Sequence, residues 1–208
     1  AGAVDVLPKP AFVAGLDSSP EMKDICRRVK VASKAHVVTR PAMSQSARPM
    51  RTESPALQGG FAGDWIIGIG ASTGGVQALA DILPKFPRGC PGIVIVQHMP
   101  EGFTGPFARR LSSLCDIDVV EAKHGDIVKK GTAYIAPGGT KHMIVQKAGA
   151  DYMIKMIDGD PVCFSRPSVD VLFSSIAKEA RSKSSAVILT GMGKDGAQGL
   201  LEMRENGG

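Results

Sequence analysis

The feature that most constrains the fold is a buried-strand pattern that runs directly into a glycine-rich turn. Residues 65–69 form a short apolar run rich in isoleucine, and residues 70–75 carry glycine at three positions. A helical pattern over residues 75–83 follows and stops at Pro84. An apolar strand without alternation is typical of a parallel sheet that helices cover on both faces. We therefore expect an α/β fold.

The alternation of strand and helix continues toward the end of the chain. Strand patterns over residues 93–97, near 119–120 and over 186–189 are separated by helical patterns over 106–114 and 169–181. Such alternation predicts a doubly wound, mostly parallel sheet of Rossmann-like topology.

Residues 131–157 interrupt this rhythm with apolar residues at alternate positions around Tyr134, Ile144 and Met153, separated by glycine-containing turns. Alternation between turns is typical of antiparallel strands. We expect a β-hairpin region inserted into the α/β frame, with all three segments belonging to hairpins.

Composition excludes several classes of protein. Of the 208 residues 43% are hydrophobic, but no apolar run approaches the ~18 residues that a membrane span needs. The start of the chain lacks a signal-peptide pattern, so a cytoplasmic protein without membrane insertion is expected. The four cysteines, at positions 26, 90, 115 and 163, are far apart and predict free thiols, with no metal site and no cofactor.

The first 63 residues differ from the rest in composition and in their pattern of apolar residues. Residues 1–38 read as one strand and one helix, too little to bury a core, and residues 39–63 are rich in proline, serine and glycine, as in a linker. We expect a catalytic domain over residues 64–208.

Basic residues cluster near the N-terminus, and no aromatic residues are interleaved with them. Without aromatic residues to stack on bases, no nucleic-acid partner is expected. The basic residues are Lys23, Arg27, Arg28, Lys30, Lys34, Arg40, Arg48 and Arg51.

Two nucleotide-binding motifs fail at the glycine-rich turn. A dinucleotide site requires G-x-G-x-x-G, but the final glycine position holds Thr73, and the next strand ends in His98 rather than an acid. A P-loop requires Gly-Lys-Ser/Thr, which this turn lacks.

The turn instead matches G-x-S-x-G at residues 70–74, with Ser72 at its centre. Small flanking residues allow a sharp strand-to-helix turn that lifts the serine hydroxyl above the sheet edge. The next backbone N–H, from Thr73, can stabilise a developing oxyanion at the start of the helix. The alternative is a serine tolerated for its size in a tight turn.

A serine nucleophile needs a base and an acid that orients the base. Of four histidines, only His98 follows the carboxyl end of a core strand, where ligands bind in such sheets. Asp195 follows the late strand in a second glycine-rich turn. Taken alone, His98 fits a structural histidine and Asp195 a helix N-cap. Together with Ser72, they predict a serine-hydrolase triad, in an order unlike that of the common α/β-hydrolases.

These residues resemble the catalytic domain of the bacterial chemotaxis protein-glutamate methylesterase family. The resemblance lies in residues 70–75 (GASTGG), 97–100 (QHMP), 103–104 (FT), 134–138 (YIAPG), 142–143 (HM), 166–170 (RPSVD) and 189–196 (LTGMGKDG).

The resemblance implies Ser72 as nucleophile, His98 as base and Asp195 as its orienting acid, with backbone donors at Thr73 and Met192 bordering the oxyanion. It implies hydrolysis of glutamate γ-methyl esters on chemoreceptor cytoplasmic domains, with release of methanol, and deamidation of receptor glutamines. A non-catalytic binding module linked to a receiver domain is the alternative.

The resemblance also implies a longer parent protein. Residues 1–38 are similar to the end of a response-regulator receiver domain. The resemblance implies that the parent protein is a phosphoprotein, and that a chemotaxis histidine kinase acts on it through this receiver domain. Family members continue past Gly208 with another strand and helix, so an uncovered sheet edge is expected. Lys194 departs from the pattern, in which a small polar residue is more usual beside Asp195.

Overall fold

The computed structural model describes residues 25–27, 29, 30 and 65–208, and the chain divides into two units, Ala1–Gln58 and Gly59–Gly208. In the first unit, residues 25–27, 29 and 30 are helical, in keeping with the helical pattern of the sequence. The predicted first strand, the linker over residues 39–63 and most of the basic cluster lie outside the described residues. The predicted domain boundaries therefore stay predictions.

The second unit is built on a five-stranded parallel sheet with the order β3-β4-β2-β1-β7. A separate antiparallel pair, β5 and β6, forms a hairpin. The strands are β1 (Ile66–Ala71), β2 (Gly92–Gln97), β3 (Asp118–Glu121), β4 (Thr132–Ile135), β5 (His142–Ala148), β6 (Asp151–Ile157) and β7 (Ser184–Ile188). The predicted doubly wound α/β fold is confirmed.

Helices cover both faces of the sheet. They are α1 (Gly75–Ile82), α2 (Thr104–Ser112), α3 (Val169–Glu179) and α4 (Ala197–Glu205), with short 3₁₀ turns at Leu83–Lys85 and Arg181–Lys183. Helices α1, α2 and α4 each follow a strand of the parallel sheet, β1, β2 and β7 respectively, as is usual in α/β folds.

Strand β2 shows how the core divides into two layers. Its residues Val94 and Val96 pack with Phe173 of α3, whereas Ile93 and Ile95 pack with the residues of α1 and α2 on the opposite face. All six residues of β2 are buried. Burial on both faces explains why this strand appears in the sequence as a continuous apolar run.

The expectation of three hairpin segments is wrong for the first of them. Strand β4 lies inside the main sheet, parallel to both β2 and β3, and all four of its residues are buried. Only β5 and β6 form the inserted hairpin, paired from His142 with Ile157 to Ala148 with Asp151. A four-residue apolar segment is too short for its period to distinguish a core strand from a hairpin strand.

Strand β7 is an edge of the sheet, and Val187 on it is 42% exposed.

Within the described residues, no helix combines the length and apolarity that crossing a membrane requires. The four cysteines are free, with Cys90 buried and Cys26 exposed.

Candidate active site

Ser72 lies in the turn that joins β1 to α1, at the carboxyl edge of the sheet. Its carbonyl oxygen accepts the N–H of Gly75 at 2.8 Å, and its own N–H donates to the carbonyl of Thr190 at 2.8 Å. Gly74 has a φ of +80°, a conformation that favours glycine. A Cβ at Gly75 would collide with the Gln97 amide oxygen. The tightness of the turn therefore explains the glycines of the motif.

His98 follows β2 directly, and its N–H donates to the carbonyl of Ala71 at 3.0 Å. Its ring nitrogen Nδ1 lies 3.1 Å from the Ser72 hydroxyl oxygen. The side-chain amide of Gln97 donates to the carbonyls of both Ser72 and His98, at 3.0 Å each. This bridge fixes the two backbone segments relative to each other.

Asp195 approaches the other side of the imidazole. Its Oδ2 lies 2.8 Å from His98 Nε2, and its side chain is 5% exposed. Ser72, His98 and Asp195 therefore form one hydrogen-bonded row, which we call the active-site row. The three residues come from the turns after β1, β2 and β7, neighbours in the sheet order.

The carboxylate of Asp195 is held at the N-terminus of α3. Its Oδ1 accepts the Ser168 hydroxyl at 2.7 Å and the Asp170 N–H at 3.0 Å, and its Oδ2 accepts the Val169 N–H at 2.9 Å. The first amides of a helix lack partners within the helix and favour a negative charge. Helix α3 therefore positions the acid as well as stabilising its charge.

The environment of Asp195 keeps it ionised. Burial raises the pKa of this carboxyl, but hydrogen bonds from His98, from Ser168 and from two backbone amides stabilise the charged form. The net result is a pKa below its ordinary value. An ionised Asp195 accepts a hydrogen bond from the N–H at His98 Nε2, so Nδ1 presents its lone pair to Ser72.

Thr73 follows Ser72 in the chain, Met192 lies in the turn after β7, and both residues are exposed. Gly191, which precedes Met192, packs so closely that a Cβ there would lie 2.8 Å from Ser72 Cβ. In the part of the chain that the structure describes, no hydrogen bond uses the N–H of Thr73 or Met192. Both donors are available to an acceptor, and their role toward an oxyanion stays a prediction.

Lys194 is exposed, and within residues 65–208 it forms no ion pair with Asp195. The lysine therefore leaves the carboxylate to His98 and to the N-terminus of α3.

Two residues near the row were not identified from sequence. Ser168 could have been found, because it is an N-cap serine immediately before the apolar helical pattern of α3. Ser165, whose hydroxyl oxygen lies 3.4 Å from His98 Nδ1, carries no such signal because its loop conformation depends on tertiary contacts.

Cys163, Asp170 and Asp195 place ligand atoms within 4.8 Å of one another, close enough for a cation. However, each Asp195 oxygen already accepts two hydrogen bonds, including the one from His98. A cation there would have to displace at least one of these four donors, so this set does not fit a resident metal that leaves the row intact.

Comparisons with known proteins agree with this geometry. The family model described as CheB methylesterase matches residues 67–208. A protein-glutamate methylesterase/protein-glutamine glutaminase of Cereibacter sphaeroides is 49% identical over 208 residues, which is 100% of this chain and 54% of that protein. A relative with the same activities in its name, from Hahella chejuensis, is 46% identical over 217 residues and is covered to 59%.

Among solved structures, the CheB methylesterase catalytic domain of Thermotoga maritima matches with a TM-score of 0.68 and 41% identity. The match covers 71% of this chain and 78% of that one. The chain spans about half the length of the curated relatives it matches.

Proposed function

This chain belongs to the CheB methylesterase family, and from that premise we propose that it is a serine hydrolase that demethylates glutamate γ-methyl esters on chemoreceptors. The observation that carries the proposal is the active-site row, with 3.1 Å from Ser72 to His98 and 2.8 Å from His98 to Asp195. A hydroxyl becomes a useful nucleophile when an oriented base lies within hydrogen-bond reach.

In the acylation half, Ser72 Oγ attacks the ester carbonyl carbon while His98 Nδ1 takes the hydroxyl proton. The oxyanion that forms accepts the backbone N–H groups of Thr73 and Met192. Collapse of this intermediate breaks the bond to the methoxy oxygen, which receives the proton from His98 and leaves as methanol. The ionised Asp195 stabilises the imidazolium that exists between these two proton transfers.

In the deacylation half, His98 Nδ1 removes a proton from water, which attacks the acyl-serine carbonyl. The second intermediate collapses to glutamate and free Ser72, and His98 returns its proton to the serine oxygen. A glutamine side chain can enter the same route, with ammonia in place of methanol as leaving group. Protein-glutamine deamidation is therefore part of the proposal.

We further propose the setting in which this chemistry occurs. The catalytic domain spans residues 64–208, and residues 1–38 are the end of a receiver domain joined to it by a linker over residues 39–63. The substrates are the methylated cytoplasmic domains of chemoreceptors, so the protein acts in the cytoplasm. A chemotaxis histidine kinase regulates the site through the receiver domain of the parent protein.

The test is methanol release from a carboxyl-methylated chemoreceptor cytoplasmic fragment. We expect release by the chain without substitutions, which we call the parent chain, and none by Ser72→Ala. No other group in the active-site row can form the acyl intermediate. Ser113→Ala is the matched control, because Ser113 is an exposed serine at the C-cap of α2 that donates to the Arg110 carbonyl and takes no part in the active-site row. Full activity in Ser72→Ala would refute the hydrolase. A folded parent chain that binds the fragment without releasing methanol would support the binding module.

A further inference from the structure

A tight turn over residues 162–165 places two bulky residues in an unusual backbone conformation. The N–H of Val162 donates to the Ser165 carbonyl at 3.1 Å, and the N–H of Ser165 returns to the Val162 carbonyl at 2.9 Å. The central residues, Cys163 and Phe164, have φ values of +50° and +63°. Positive φ at both central positions is the signature of a type I′ turn, where Asn-Gly or Gly-Gly is strongly preferred.

Phe164 has no stabilising role within the described part of the second unit. Its side chain is 103% exposed, so the ring buries no area against this domain. A non-glycine residue at positive φ costs free energy because Cβ crowds the backbone. The exposed phenyl ring gains no burial on folding that could offset this cost. Glycine would be better at this position if only stability mattered.

The turn lies beside the active-site row. Ser165, the next residue, places its hydroxyl oxygen 3.4 Å from His98 Nδ1. Phe164 is therefore one residue away from a group that touches the base. The exposed ring therefore belongs to a loop that borders the active-site row rather than to a remote surface.

Buried His142 fixes the loop that carries the turn. Its Nε2 donates to the carbonyl of Asp160 at 3.0 Å, and its Nδ1 accepts the N–H of Ser168 at 3.1 Å. One imidazole thus holds the chain on both sides of the turn. The side chain of Arg166 adds a 2.8 Å bond to the Gly159 carbonyl. The ring of Phe164 therefore projects from an anchored loop.

A second exposed apolar side chain flanks the nucleophile from another loop. Met192 is 84% exposed and follows Gly191, which packs against Ser72. Phe164 and Met192 are each adjacent in sequence to a residue that lies against the active-site row, and we call these two exposed residues the apolar rim. Rigid aromatic side chains that are exposed beside a site are frequent anchors for protein partners.

We infer that Phe164 is a specificity-determining residue that contacts an apolar surface of the protein carrying the ester, and so favours protein substrates over small esters. This inference rests on the proposed function and adds to it the group that recognises the polypeptide around the reacting side chain. The occupant is the substrate protein itself, because both rim residues are next in sequence to residues that lie against His98 or Ser72, where the ester must bind.

The test compares two substrates in the parent chain and in Phe164→Gly and Phe164→Ala. One substrate is the carboxyl-methylated chemoreceptor fragment, followed by methanol release, and the other is p-nitrophenyl acetate. We expect the ratio of kcat/KM for the protein to kcat/KM for the small ester to fall about tenfold or more, as for loss of an anchor residue. Phe164→Gly should melt at or above the parent temperature, because glycine adopts positive φ without strain.

Leu114→Ala is the matched control. Leu114 is a 51% exposed apolar residue that follows α2 at the opposite edge of the sheet, and its removal should leave the ratio unchanged. An unchanged ratio in both Phe164 variants would overturn the inference while leaving the esterase intact. An equal rise in both rates would overturn it too, because it would indicate a contact with another part of the chain. A parent chain that hydrolyses p-nitrophenyl acetate but not the methylated fragment would overturn both proposals.

Discussion

The Nε2 atom of His98 lies 2.8 Å from Oδ2 of Asp195, and the opposite ring nitrogen faces Ser72. In the serine-protease arrangement, Nε2 faces the serine and Nδ1 faces the acid. The ring is used here in the opposite sense, with the acid still fixing which nitrogen carries the proton. A neutral imidazole has one donor and one acceptor nitrogen, so both arrangements provide a base toward the hydroxyl.

Replacing Asp195 with Asn should lower kcat by about 10⁴, because the amide no longer enforces the productive tautomer or stabilises the imidazolium. The measurement is methanol release under substrate saturation, together with a thermal melt. Asp158→Asn is the control, since Asp158 is an exposed acid paired with Lys141. A loss of less than tenfold in folded Asp195→Asn would show that the carboxylate does not orient the base.

Replacing Ser168 with Ala should reduce both stability and kcat. The variant loses the 2.7 Å bond to Asp195 and the N-cap bond from the Val171 N–H to the Ser168 hydroxyl. We expect a loss of about 2 kcal/mol in the free energy of unfolding and about a tenfold fall in kcat from a less fixed Asp195. Urea unfolding and steady-state kinetics measure the two effects.

The control for that variant is Ser184→Ala. Ser184 is equally buried, and its hydroxyl donates to the Arg181 carbonyl at 2.6 Å, at the start of β7 and away from the row. It should lose about 1 kcal/mol of stability without loss of kcat. Similar kcat values in the two variants would show that Ser168 acts through stability alone.

Adding a methyl group at Gly191 should displace the nucleophile. A Cβ at this position would lie 2.8 Å from Ser72 Cβ, closer than real contacts allow, so one of the two turns must shift. We expect a fall in kcat of about 10² in Gly191→Ala, the scale of a 1 Å misplacement. Gly89→Ala, where a Cβ would meet no atom within 4 Å, is the control and should match the parent chain. Parent-like kinetics in Gly191→Ala would contradict the close packing of these turns.

The depressed pKa of Asp195 predicts how stability depends on pH. Because the folded pKa lies below the unfolded one, the unfolded state binds the proton more tightly. The stabilisation from ionised Asp195 is therefore fully present above about pH 4 and is lost as the pH falls through the folded value. In urea unfolding, the difference in free energy between the parent chain and Asp195→Asn should shrink as the pH falls below about 4. A constant difference would contradict the prediction.

The sequence was sufficient to predict the sheet and the meeting of three side chains at one edge. This follows from geometry, because the carboxyl ends of parallel strands share an edge and the turns that follow them meet there. Ser72, His98 and Asp195 lie in turns that follow short apolar runs, and the alternation of these runs with helical patterns indicates a parallel sheet.

The supporting contacts were beyond sequence reasoning. The donors to Asp195 come from the start of α3, which is 25–27 residues away in the chain. The turn at Cys163 and Phe164 runs against local preference, so no propensity argument could place it. Strand β4 was assigned to a hairpin because four buried residues carry too little periodicity.

The most direct measurement of the central claim is covalent labelling by a fluorophosphonate, located by mass spectrometry of the digested chain. We predict stoichiometric modification of Ser72, none in Ser72→Ala, and much slower labelling in His98→Ala because the base is missing. Persistent failure to label the folded parent chain, or labelling of a different serine at the same rate in Ser72→Ala, would contradict the account.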